Sequence, residues 1–368
     1  MFDPNSLTGQ QNGTNLNVRK LKIEIISRII EKSLGLGLSL GVLVACEYNA
    51  CDAVSQYDHV SVEIPVRHLE GEISELGTWE ETASYLGDHR VVADYFLDAN
   101  QYPDDSILAK RLYRLMQNPH IDSLYMEVDE YFVDFDQKVV AELEGGFRFI
   151  KYHYPETRDP RVETIITGQY NDLYVSDSLI VVGLDFFMGM NGKYPPNDVP
   201  AYIVQRYMKE SVAPIILSFV SNEYNHIDQS HGTLLADMIN VGKSYYFVSS
   251  ALPCKPDSLI IGYTAEEMTL VEANQEVIWA NLIENELLYE TDHFLKNKFV
   301  GESPNVYEIS EKCPGRVGAW VGWQIVRKYM ENNPDVTLQE LMKETDGHKI
   351  FQKSGYKPKN VEPLPSLI

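Results

Sequence analysis

The chain has 368 residues, with 54 acidic against 31 basic side chains; its net charge of −23 repels phosphate backbones and anionic lipid heads and speaks against a nucleic-acid partner. The acidity is spread along the sequence and 11% of residues are aromatic, which excludes a disordered acidic tail. The length suits one large domain or two small ones, and none of the four cysteines has metal-ligand spacing such as C-x-x-C.

At the N-terminus, a 13-residue apolar run from Ser33 to Ala45 ends at Cys46. It is too short to cross a bilayer core of about 30 Å as a helix, and it has the length of a signal-peptide h-region. Arg19, Lys20, Lys22, Arg28 and Lys32 precede it, on the side that stays in the cytoplasm. Leu43-Val44-Ala45-Cys46 has the shape of a bacterial lipobox, in which the cysteine takes the lipid. Residues 1–45 therefore read as a lipoprotein signal peptide with a polar N-terminal extension, and Cys46 as the site of a palmitate-type anchor. The alternatives are a buried helix or a secretory peptide cleaved without lipid. Removing the leader leaves 26 basic and 51 acidic residues, a net of −25, so attachment to a membrane falls to acyl chains and not to a basic patch. No later apolar stretch reaches the length of a span. Cys51, Cys254 and Cys313 permit one disulfide, with Cys254–Cys313 as one possible pairing.

Residues 46–77 read as a tether that ends in an extended stretch, where His59 to Ile64 alternates with period two. A helical pattern follows to about Ile150. Asp104 caps one helix carrying Ile107, Leu108, Leu112 and Leu115, which Pro119 ends. A longer helix places Leu124, Val128, Phe132, Phe135, Val139 and Leu143 on one stripe, with Gly145-Gly146 as its stop. Three strands come next, at Val162–Thr167, Leu173–Val175 and Leu179–Asp185, the last apolar enough to be buried on both faces. Past a Gly/Pro loop from Gly189 to Pro200 the chain turns helical again, with a capping box at Thr264 and Glu267. The fold class is α+β: helices packed on a small central β-sheet, with a mostly helical C-terminal half. The domain covers 78–358, with a C-terminal tail at 359–368.

Several blocks in this order resemble the family of the gliding-motility lipoprotein GldB from the Bacteroidetes. They are Ile180 to Gly189 with Tyr194-Pro195, then Pro256 to Thr264, Ile278-Trp279, and Pro314 to Arg327. Asn333 to Val336 and Lys353 to Tyr356 follow. The resemblance implies a lipoprotein of the cell envelope, facing the periplasm on either membrane. Its partners would be other envelope proteins of the gliding apparatus and the associated secretion machinery, with no cofactor. The acidic residues nearest to Cys46, Glu47 and Asp52, leave the choice of membrane open.

The architecture is also distantly similar to zincin-type metallopeptidases, whose H-E-x-x-H helix supplies two His ligands and a general base. Here Ile215 and Phe219 stand at the two His positions, Ile216 at the base and Val241 at the later Glu ligand. None of these side chains can hold zinc or polarise water, so the expectation is a degenerate zincin-like fold, a pseudo-zincin and not an enzyme. His226 and His231, five apart, do not stack on one helical face, and no G-x-S-x-G nucleophile motif occurs. Glu142 and Glu144 read as solvated helix charge. An envelope hydrolase with an unrecognised site is the competing reading.

The signature residues are Gly183, Asp185, Tyr194, Pro195, Gly315, Arg316, Gly318, Trp320, Gly322, Trp323 and Arg327, as structural or partner-binding positions. Gly318 and Gly322, one turn apart, are expected to form a smooth groove for a neighbouring helix. Trp320 and Trp323 either pack that helix inward or join Gln324 and Arg327 in an exposed edge for a protein partner. Arg316 and Arg327 are candidates to pair with a buried carboxylate such as Asp185.

Overall fold

A computed structural model describes residues 56–196, 199–228 and 232–358. The leader, Cys46, Cys51, His231 and the tail lie outside the described residues. Four strands form one sheet in the order β1-β2-β4-β3, from β1 (Val66–His68), β2 (Arg161–Ile165), β3 (Leu173–Val175) and β4 (Leu179–Gly183). β1, β2 and β4 run parallel, with Val66 beside Val162 and Val162 beside Ile180, while β3 returns antiparallel on β4. Every residue of β4 is buried, as its unbroken apolar run implies.

The period-two alternation of β2 and β4 divides the interior. Val162, Ile166, Ile180, Val182 and Leu184 face a large core, while Ile165, Leu179 and Val181 face a small one. The small core is closed by α1 (Leu69–Ser74), α2 (Trp79–Asp88), a π-helical turn at Val92–Phe96 and α3 (Asp105–Met116). Asp104 caps α3 by accepting from the Ser106 amide. The predicted extended stretch is part of this body: Val62 and Ile64 are buried in the large core, ahead of β1. A tether can therefore occupy only residues before this packed segment.

The long helix expected around residues 124–143 is broken into α4 (Pro119–Tyr131), a π-helical turn at Asp136–Val140 and α5 (Ala141–His153). Its six stripe residues do all reach the large core. Pro119 begins α4, where its missing N–H costs nothing, and Asn118 caps that end. Gly145-Gly146 does not stop α5, which runs through both. The reason is tertiary: a Cβ on Gly146 would stand 2.5 Å from Leu217 Cδ1, so the missing side chain makes room for a neighbouring helix.

The C-terminal half is helical: α6 (Ala201–Val204), α7 (Val212–Ser221), α8 (Leu234–Ala251), α9 (Asp257–Ile261), α10 (Ala265–Ala273), α11 (Gln275–Glu284), α12 (His293–Val300), α13 (Val317–Asn332), α14 (Leu338–Lys343) and α15 (Gly347–Ser354). The Thr264–Glu267 capping box forms as predicted. Within α8, Lys243 is fully buried, and its ammonium donates to the carbonyls of His226, Met342 and Glu344 at 2.9, 3.2 and 2.7 Å, tying three segments together. The pairing Cys254–Cys313 is not made: Cys313 is a free, buried thiol, and Cys254 is in a disulfide without it. Among the described residues no helix is long and apolar enough to cross a membrane.

Candidate functional site

α8 and α13 cross at the centre of the large core, and glycine permits their approach. A Cβ on Gly242 would stand 2.6 Å from the Trp323 nitrogen, and one on Gly322 would stand 1.8 Å from the Met238 carbonyl oxygen. Gly318 faces a different helix, since its Cβ would meet the Phe299 carbonyl oxygen of α12 at 3.0 Å. The two glycines therefore admit one helix each; they do not form one groove.

At its start, α13 is shaped by Gly315 and Arg316. A Cβ on Gly315 would stand 2.8 Å from the Ser303 carbonyl carbon, and the Gly315 carbonyl accepts from Tyr263 Oη at 2.7 Å. Arg316 precedes the helix in the left-handed region, with φ 61°. Its Nη1 donates to Tyr245 Oη at 3.2 Å and its Nη2 to the Gly262 carbonyl at 3.4 Å. Its Nε lies 3.6 Å from Glu302 Oε1, while Arg206 Nη1 donates to Glu302 Oε2 at 2.5 Å. The guanidinium of Arg316 lies 5.7 Å from the Tyr263 ring centre, and that of Arg206 lies 5.7 Å from the Tyr202 ring centre.

The expected pairing with Asp185 does not occur: Arg316 finds Glu302, and Asp185 binds backbone. Asp185 is fully buried and accepts from the amides of Thr167 at 3.2 Å and Gln169 at 2.6 Å. Burial pushes its pKa up to about 6, against backbone donors that pull it down. The turn that wraps this carboxylate has Gly168 and Gln169 at positive φ, 71° and 65°. Gln169 in turn donates to the Tyr194 carbonyl, next to half-buried Pro195. A Cβ on Gly183 would collide with the Asn171 carbonyl of the same turn. Gly183, Asp185 and the Tyr194 carbonyl thus converge on the β2–β3 connection, with Pro195 next in the chain.

Further along α13, Trp320 and Trp323 are 2% and 0% exposed, so the predicted edge has no exposed indole. Trp323 packs on Tyr245, with 5.4 Å between ring centres, and the Arg327 guanidinium lies over the indole at 3.9 Å. Arg327 holds Asp257 with both terminal nitrogens, Nη2 to Oδ1 at 2.7 Å. What remains at the surface is a groove of about 850 Å³, where Gln324, Arg327 and Lys328 lie beside Tyr356.

A smaller chamber, of about 200 Å³, lies beside Arg316, between the Ile203–Tyr207 segment, α7 and α9. Ile215 and Phe219 line it, while Ile216 points into the core and Val241 is half-buried. The positions read as vacated zinc ligands thus carry hydrocarbon, two of them facing a cavity. Arg206, Glu302 and Tyr245 were not legible as site residues, because only the fold gathers them around Arg316. Gly262 and Tyr263, in contrast, lie within a recognised block. His226 and His153 share a separate open cleft, and among the described residues no group of three His, Cys, Asp or Glu could hold a metal ion.

A family model described as gliding motility protein GldB matches residues 51–358. No curated protein and no solved structure matches.

Proposed function

The chain belongs to the gliding motility protein GldB family, and on that premise we propose that it is a non-enzymatic lipoprotein of the bacterial envelope, tethered through Cys46 and acting by binding other proteins of the gliding and secretion machinery. The family match over most of the chain carries this reading, with the lipobox Leu43 to Cys46 directly ahead of the matched region. The non-enzymatic part is supported by chemistry: Ile215, Ile216, Phe219 and Val241 offer no lone pair to a metal and no base for water. The acidic body cannot hold an anionic membrane electrostatically, so the anchor falls to acyl chains. The domain then faces the periplasm from whichever membrane holds it.

The test is Cys46→Ala in cells, followed by membrane fractionation, acyl labelling and scoring of gliding and secretion. Loss of the label and of membrane association is expected, and persistent acylation would refute the attachment site. Crosslinked neighbours are expected to be envelope proteins. Stoichiometric zinc in the purified protein, or cleavage of peptides, would instead establish a hydrolase.

A further inference from the structure

The chamber beside Arg316 holds two cations and one carboxylate. The side chains of Arg206 and Arg316 are 14% and 11% exposed, whereas Glu302 stands at the rim with 49% exposed. A guanidinium has five N–H donors and does not shed its charge in a protein. Arg316 commits donors to Tyr245 and Gly262, Arg206 commits one to Glu302, and the Nε of each is buried without a hydrogen-bond partner. Among the lining residues one positive charge is left over, in a place largely removed from water, and the nearby carboxylate of Asp172 is already engaged by Tyr207 Oη. Such a charge is costly to bury unless an anion completes it.

Most of the remaining lining is apolar, with Ile203, Pro214, Ile215, Phe219 and Leu259. Phe219 is 54% exposed, a large apolar ring without full cover. The chamber's volume of about 200 Å³ falls below the roughly 300–1,000 Å³ of sites for drug-sized ligands, which suits a single amino-acid-sized group.

We propose that this chamber binds a carboxylate joined to an apolar group of amino-acid size, the carboxylate between Arg206 and Arg316 and the apolar group against Ile215 and Phe219. Glu302 already presents its two oxygens to these arginines, at 2.5 Å from Arg206 Nη1 and 3.6 Å from Arg316 Nε. The pair is thus spaced for one planar, two-oxygen anion. The strongly negative surface disfavours polyanions. The carboxylate belongs either to a free acid or to the C-terminus of a peptide. The inference rests neither on the lipid anchor nor on the role in motility.

Calorimetric titration of the full chain tests it, with N-acetyl-leucine, N-acetyl-leucinamide, inorganic phosphate and a tetrapeptide ending in leucine. The acid is expected to saturate in roughly the millimolar range or below, and the amide to bind about tenfold more weakly or worse, since it loses charge-assisted hydrogen bonds. A tetrapeptide tighter than the acid identifies chain ends as the source; equal affinity identifies free acids. Glu302→Gln removes the resident competitor and should tighten acid binding about tenfold. Phe219→Ala, at an exposed position, should weaken binding while the melting temperature holds. These two variants decide the matter even if Arg206→Gln, expected to abolish binding, fails to fold. The proposal is overturned if neither wild type nor Glu302→Gln binds either acid, or if the amide or phosphate binds as tightly as N-acetyl-leucine.

Discussion

Alanine in place of Gly322 would set two ordinary rules against each other. In an isolated helix Gly→Ala is favourable by about 1 kcal/mol. In α13 the new methyl would stand 1.8 Å from the Met238 carbonyl oxygen and 3.0 Å from its Cα, where ordinary contact begins at 3.4 Å. Backbone cannot rotate aside as a side chain does, so α8 and α13 must separate along their crossing. Overpacking of this kind costs roughly 1–3 kcal/mol, and a rigid neighbour places it at the upper end. After the propensity gain, a net loss of about 2 kcal/mol remains, which lowers the melting temperature by about 3 °C for a domain of this size. The same substitution elsewhere supplies the controls. A Cβ on Gly145, in the middle of α5, meets nothing within 4 Å, so Gly145→Ala should stabilise by about 0.5–1 kcal/mol. Gly146→Ala meets only the movable Leu217 side chain and should fall between them. Thermal and urea denaturation followed by helical circular dichroism would rank the three. A Gly322→Ala protein as stable as wild type, or more so, would refute the close-crossing argument.

Asp185 predicts a pH dependence. Its folded pKa of about 6 exceeds the ordinary 3.8, so the native state binds this proton more tightly than the unfolded chain. Its contribution to stability therefore falls as pH rises from 3.8 to about 6 and is constant above that. Asp185→Asn should remove this slope, and a stability difference from wild type that stays flat across pH 4–7 would count against the assignment. Lys243→Met strands the three carbonyls that its ammonium satisfies and should cost about 3 kcal/mol in urea unfolding; a cost under about 1 kcal/mol would show that other donors replace it. Burial pushes the Cys313 thiol up to about 12, so iodoacetamide should label its peptide only after unfolding, as read by mass spectrometry. Rapid native labelling would contradict that burial.

The elements legible in the sequence were those with local causes. β2, β3 and β4 were marked by apolar runs between turn residues, and Asp104 and the Thr264–Glu267 box announced their helices through side chains that bond nearby amides. The rest depended on distant neighbours. Gly145-Gly146 reads locally as a breaker, yet Leu217 makes the second glycine a packing position. Gly318 and Gly322 show the spacing of a groove, but only the fold gives each its own helix. Asp185 was correctly marked as a carboxylate needing partners, and its partners proved to be amides of a turn with positive φ, which no residue pattern specifies. Arg316 was singled out without Arg206 or Glu302, because the spacing of residues 206, 302 and 316 carries no period.

The placement of Val62 and Ile64 determines how the body meets a mechanical load. Among the described residues, a pull on the N-terminal side meets Tyr57 and Val60 packed on the large core, then the two seated side chains, and then the short ladder between β1 and β2. The grip lies in the larger of the two interiors, so force entering there is handed straight to the mass of the fold.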